Sequence, residues 1–311
     1  MKIISRRSFV ATTGLGTLSF AANAHAADHT RKGITFGFST YGMKVLKTER
    51  AIKVLADIGY DSVELNVWPG WDADSATLSA NRRKAIRSSL ADHQLKLTGL
   101  MEKFKTTNRT TDLKFTLDRI RLAGELGHDL SPDHQPVIQS TLGGKKWEDM
   151  KELYLRQLEK YLKVAEEVET IVAVKPHRGG AMSRPSEAAW LLEKLGRPKW
   201  LRMCYDYSHY DFRGMKMSDT IKTALPYTAH IAIKDATKDG DRIRFVNPGV
   251  AGRIDYGNLL RQFYAGGYRG DVCCEVSGQV WNVKGYDPVA SARQCYKLIS
   301  PSFRKAKVPR G

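Results

Sequence analysis

A lysine ends one of the most apolar stretches of the chain: Thr170-Ile-Val-Ala-Val174 runs directly into Lys175, Pro176 and His177. Polar residues close other apolar runs in the same way: Glu64 and Asn66, Gln139, Asp206 with His209 just beyond, His230 and Lys234, and Glu275. Asp206, His230 and Glu275 together offer two oxygens and one nitrogen to a single divalent cation. That donor mix suits Mn²⁺, Mg²⁺, Co²⁺ or Zn²⁺ and discriminates poorly among them. Glu64, Gln139 and Lys234 are candidate substrate contacts, and Glu64 would equally well hold a nearby lysine or arginine. Singly, each residue reads as a hydrogen-bonded polar group beneath a loop. As a set at successive strand ends, they read as a site.

The elements that must position them alternate with little interruption. Strand-like runs at 34–41, 61–67, 95–101, 136–144, 170–177, 201–209, 227–235 and 270–277 are each followed by a helix-like pattern. Eight strand–helix units in about 280 residues predict an α/β fold, a (β/α)8 TIM barrel, whose active sites lie at the C-terminal strand ends. No Gly-x-Gly-x-x-Gly turn follows the first strand, and no Pro/Gly/Ser-rich linker divides the chain. Residues two apart on a strand share a face. An inward Glu275 therefore brings Cys273 inward and sends Cys274 outward. Lys175 shares a face with His177, and His230 with Ala232 and Lys234.

Within the 311 residues, the first 27 have a different character. Twin arginines Arg6 and Arg7, a weakly apolar stretch and Ala24-His25-Ala26 predict a twin-arginine export signal, followed by a single barrel domain over 28–311. The expected location is periplasmic or secreted. The formal charge of +17 includes Lys2, Arg6 and Arg7, which would leave with the signal. The remaining excess reads as a diffuse solvated surface: no Arg-rich helix or aromatic-interleaved basic motif points to nucleic acid. No apolar run reaches the roughly 20 residues of a membrane span. Cys204, Cys273, Cys274 and Cys295 match no disulfide framework or metal spacing and are expected as small buried core residues.

The site residues carry a resemblance. "GYDSVEL", "YDYSH", "AHIAIKD" and "NPGVAGRIDYGNLLRQFYAGGYRGDVCCEVS" occur in order along the chain. Nearly the whole mature chain resembles the xylose isomerase-like TIM-barrel superfamily of sugar isomerases and epimerases, which includes endonuclease IV. The resemblance implies metal ligation by Asp206, His230 and Glu275 and a substrate hydroxyl contact at His209. It also implies a glutamate on strand five, where this chain has Lys175. An ammonium cannot ligate a metal. His177 is the expected stand-in ligand, and Lys175 an acid/base, an oxyanion clamp, or simply a buried cation paired to Glu275 or Glu64. The catalytic candidates are thus Glu275, Lys175 and His177.

The implied activity is that of a sugar isomerase or epimerase using one divalent metal, with proton transfer next to a carbonyl. A lyase, hydratase or deglycosidase acting on 3-keto-glycosides would use the same enolate chemistry. From other classes stand an endonuclease IV-like repair enzyme and a catalytically inactive sugar-binding barrel. The expected partner is a small carbohydrate, and self-association as a homo-oligomer is left open.

Overall fold

The computed structural model describes residues 32–240 and 242–311; the expected export signal lies outside them. Eight parallel strands close into a barrel: β1 (Thr35–Ser39), β2 (Ser62–Asn66), β3 (Lys96–Met101), β4 (Val137–Ser140), β5 (Val172–Val174), β6 (Leu201–Tyr205), β7 (Thr228–Ile233) and, last, β10 (Asp271–Cys274). β10 pairs with β1 and with β7, so the sheet has no open edge. An antiparallel hairpin, β8 (Asp235–Asp239) and β9 (Arg242–Val246), is inserted after β7; the sequence reading assigned no element there.

The helices wrap the barrel in chain order: α1 (Thr48–Ile58), α2 (Ala80–Asp92), α3 (Thr110–Leu130), α4 (Trp147–Glu167), α5 (Pro185–Lys194), α6 (Met217–Ala224), α7 (Tyr256–Ala265), a short α8 (Gly278–Trp281) and α9 (Pro288–Ala306). Their ends follow local chemistry. α1 buries Ala51, Ile52 and Leu55, and stops at Gly59, whose φ of 104° is costly for any residue with a Cβ. α5 starts at Pro185, with Glu187 accepting the backbone N–H groups of Ser183 and Arg184. At α9, Asp287 accepts from Val289 and Ala290 ahead of Pro288.

Strand alternation divides the molecule into two environments. Outward-facing Phe36, Phe38, Val63, Leu65, Val272 and Cys274 join Ile52, Leu55, Ile299 and Phe303 of the helices in the apolar core. Facing inward are smaller or polar residues. Ala173, Cys204 and Ala232 pack together, and Gly99 leaves room for Glu64: a Cβ on Gly99 would lie 3.0 Å from its Cγ and Oε2. All four cysteines are free and buried, as their apolar settings predicted. No helix among the described residues is long and apolar enough to cross a membrane.

Candidate active site at the strand ends

The sheet ladder itself holds the charged residues one step beyond the strands. Lys175 donates its backbone N–H to Ser140 at 2.8 Å, and Glu275 donates to Ile233 at 3.0 Å. Tyr256 Oη anchors the Lys234 carbonyl at 2.6 Å. Strand six ends earlier than its sequence suggested, at Tyr205. Asp206 then caps a single 3₁₀ turn, Tyr207–His209, accepting from the backbone and hydroxyl of Ser208. That turn brings His209 back over Asp206.

Four charges form one buried chain. Lys175 Nζ bonds Glu275 Oε2; Lys234 Nζ lies 2.7 Å from Glu275 Oε1 and 2.8 Å from Asp206 Oδ2. Asp206 Oδ2 is also 3.3 Å from His209 Nε2, and Asp206 Oδ1 takes the Ser208 hydroxyl at 2.6 Å. Burial alone would push the Glu275 carboxyl up, but the Lys175 and Lys234 charges overcome it and hold it near 2. Asp206 is likewise held below the usual carboxylate range, its burial outweighed by Lys234 and His209. Burial disfavours the Lys175 ammonium, yet the Glu275 charge keeps it above the ordinary lysine value. Lys175 is therefore a cation at neutral pH.

The two imidazoles above this chain are neutral. Burial and the neighbouring His209 lower His177 to about 2; burial, with the Lys234 charge against the favourable Asp206, lowers His209 to about 4. Their ring centroids are 4.1 Å apart. His177 Nδ1 accepts the Gly179 N–H at 3.0 Å, so the neutral ring carries its proton on Nε2. Gln139 is buried on β4, with its amide Nε2 unpartnered among the described residues.

His230 lies deeper in the barrel than this centre, opposite Cys204, although the Lys175 charge still reaches it. It sits four residues before Lys234 on the same face, about 13 Å down the strand at 3.3 Å per residue. There its Nε2 lies 3.2 Å from Glu64 Oε2, and Cys273 completes a group whose donor atoms all fall within 4.8 Å of one another. Both His230 nitrogens and Glu64 Oε2 lack aligned hydrogen-bond partners among the described residues. Burial would lower His230, but the Glu64 carboxylate raises it. Cys273, pushed well up by burial, is a neutral thiol.

The structure therefore does not gather Asp206, His230, Glu275 and His177 around one point. The physical reason is depth: two-residue periodicity gives the face of a strand, whereas the height of a residue in the barrel depends on neighbouring register. Nor do Asp206 and Glu275 fit a divalent ion, because all four of their oxygens are engaged by Lys175, Lys234, His209 or Ser208. The deeper Glu64, His230 and Cys273 are the donor group whose atom types suit a zinc-like ion.

Sequence reasoning missed the walls of the site. Tyr41 is close enough to Glu275 to feel its charge, and burial and that carboxylate both raise its hydroxyl. It packs with Trp68, Trp71 and Trp281 at centroid distances of 5.3–5.6 Å. Phe245 of the inserted hairpin lies 5.4 Å from the His209 ring, with Lys234 Nζ 5.9 Å from its centroid. Aromatic residues shortly after strand ends, as in "VWPGW" at 67–71, were the available signal.

A sequence search of curated proteins finds no match. Among solved structures, the chain is similar to 3-keto-D-glucoside 4-epimerase from E. coli in its apo form, at 14% identity and TM-score 0.68, covering 86% of this chain and 99% of that one. It is similar to a xylose isomerase-like barrel protein from Mycobacterium smegmatis in complex with magnesium (15%, TM-score 0.66, 89% and 98%). A third is the IOLI protein with a bound zinc atom (14%, TM-score 0.69, 87% and 99%). At these identities the likeness establishes the closed barrel, and two of the three neighbours hold a divalent metal. The sequence profile described as xylose isomerase-like TIM barrel matches residues 52–297, most of the closed barrel described above, and the chain belongs to that family.

Proposed function

We propose that the strand-end centre moves a proton next to the carbonyl of a keto-sugar, making the protein a sugar isomerase or epimerase. The observation that carries this reading is one carboxylate, Glu275, held between two ammonium groups at the barrel's C-terminal mouth. In the resting centre Glu275 is a poor base. A substrate carbonyl that accepts a second N–H from Lys175 shares that cation with Glu275 and raises the basicity of the carboxylate. Glu275 then accepts the proton from the carbon beside the carbonyl. The Lys175 ammonium holds the negative charge that develops on the oxygen, while Lys234 keeps the two carboxylates in place. The His177 Nε2–H and the Gln139 amide are donors for sugar hydroxyls, and the aromatic walls face the C–H surfaces of the ring. The family and the 3-keto-glucoside epimerase neighbour support a sugar substrate.

The same enolate would serve elimination from a 3-keto-glycoside, and product analysis separates the two outcomes. We propose further that residues 1–27 direct export of the barrel, which favours free sugars or glycosides over sugar phosphates. Blocking of export by replacement of Arg6 and Arg7 with lysine tests this assignment. The catalytic test is solvent exchange. Full-chain protein with ketoses or 3-keto-glucosides in D₂O should introduce deuterium beside the carbonyl. Glu275→Gln should slow this about 100-fold or more. Equal exchange in that variant would remove Glu275 from the reaction.

A further inference from the structure

We propose that Lys175 and Lys234 occupy the electrostatic place of a divalent ion, so that the strand-end centre neither needs nor binds a metal. The inference rests on the catalytic reading of this centre, but its test does not use turnover. Two ammonium groups supply the same positive charge as one divalent cation. They supply it between two buried carboxylates, Asp206 after β6 and Glu275 after β10, with Lys234 on the intervening β7 reaching both. A metal placed there would have to displace both lysines from Asp206 and Glu275 and then lie against two like charges. Close like charges in a buried setting repel strongly.

The replacement also changes the chemistry on offer. A metal ion polarises an oxygen and moves protons only through its bound water, whereas an ammonium can polarise the oxygen and hand over a proton itself. Lys234 already spans Glu275 and Asp206 and approaches His209 Nε2 at 3.4 Å. Glu275 is the partner of Lys175 among the described residues, leaving two of its three N–H directions for a ligand oxygen. Lys175 is thus the group placed to meet a substrate oxyanion, and Lys234 the strut that holds the two carboxylates together.

The test is divalent-ion binding to full-chain protein, by elemental analysis after chelator treatment and dialysis and by melting with and without MnCl₂. Wild type is expected to retain no ion at this centre, so that Mn²⁺ and EDTA shift the melting temperature of Glu275→Gln no differently from that of wild type. Replacing both cations, as Lys175→Glu with Lys234→Ala, opens three carboxylates to an ion and should tighten Mn²⁺ binding about 100-fold or more, read as an Mn²⁺-dependent rise in melting temperature. Lys175→Met, which removes a charge without adding a donor, should not bind. An equivalent of metal carried by wild type and lost in Glu275→Gln would overturn the proposal. A metal lost in Cys273→Ser but kept in Glu275→Gln belongs to the deeper group and leaves the proposal standing. Failure of sugar turnover with these binding results unchanged would count against the catalytic reading alone.

Discussion

Two buried charge clusters in this barrel use different cations, and the difference separates a structural site from a reactive one. Beside β2 and β3, Arg119 of α3 spends its planar fork on fixed acceptors: Glu102 at 2.7–2.8 Å, Asp74 at 2.7 Å and the Val67 carbonyl. Asp74 in turn accepts from the backbone of Gly70 and Ala76. That cluster is nearly saturated and pins the loop after β2. At the strand ends, the cations are lysines, point charges on flexible stems with N–H groups to spare. The first arrangement fixes a loop; the second holds charge where a ligand oxygen can reach it.

The carboxylates differ accordingly. Burial pushes Glu102 up to about 7 in spite of Arg119, whereas the two lysines hold Glu275 near 2. Glu102 therefore titrates near neutrality and Glu275 stays ionised throughout.

The largest expected effect is on exchange. Glu275→Gln should abolish most of it, about 100-fold or more, while Arg119→Met leaves the rate per folded molecule within about twofold of wild type. Equal losses in the two variants would erase the distinction. Stability should respond to both: Arg119→Met strands Asp74 and Glu102, and Lys175→Met strands part of Glu275, each costing about 3–5 kcal/mol in denaturant unfolding. Arg119→Lys should rescue poorly, because an ammonium cannot match the fork.

The pH dependence sharpens the contrast further. Glu102 has its folded pKa raised, so the native state holds the extra proton and stability falls as pH rises from about 4.5 to about 7. Glu102→Gln should remove that slope, about 3 kcal/mol in full. Glu275 has its folded pKa depressed, so its contribution is present above about 4.5 and is lost as pH falls toward about 2. A smaller effect is expected inside the barrel. Gly99→Ala crowds Glu64 and should cost about 1 kcal/mol without changing exchange more than a few-fold.

Much of this was legible in the sequence. The eight alternating units fixed the barrel, and alternation correctly set Cys273 inward and Cys274 outward, and placed Lys175, Lys234 and Glu275 at one mouth. Height was not legible. His230 was expected beside Asp206 as a polar group of successive strand ends and by the family resemblance, but the register between β6 and β7 pairs His230 with Cys204, below the mouth. The Arg119 cluster was missed because its three partners meet only in the folded chain, although Glu102 directly follows β3 and Arg119 interrupts the buried face of α3 at Thr116, Ile120 and Ala123.

The central claim is that two lysines and a glutamate, rather than a metal, run this centre. Deuterium incorporation into a keto-sugar by chelator-stripped wild-type protein tests it most directly. Exchange at the full rate without added metal is the predicted result; exchange that stops on stripping and returns with Mn²⁺ would contradict it.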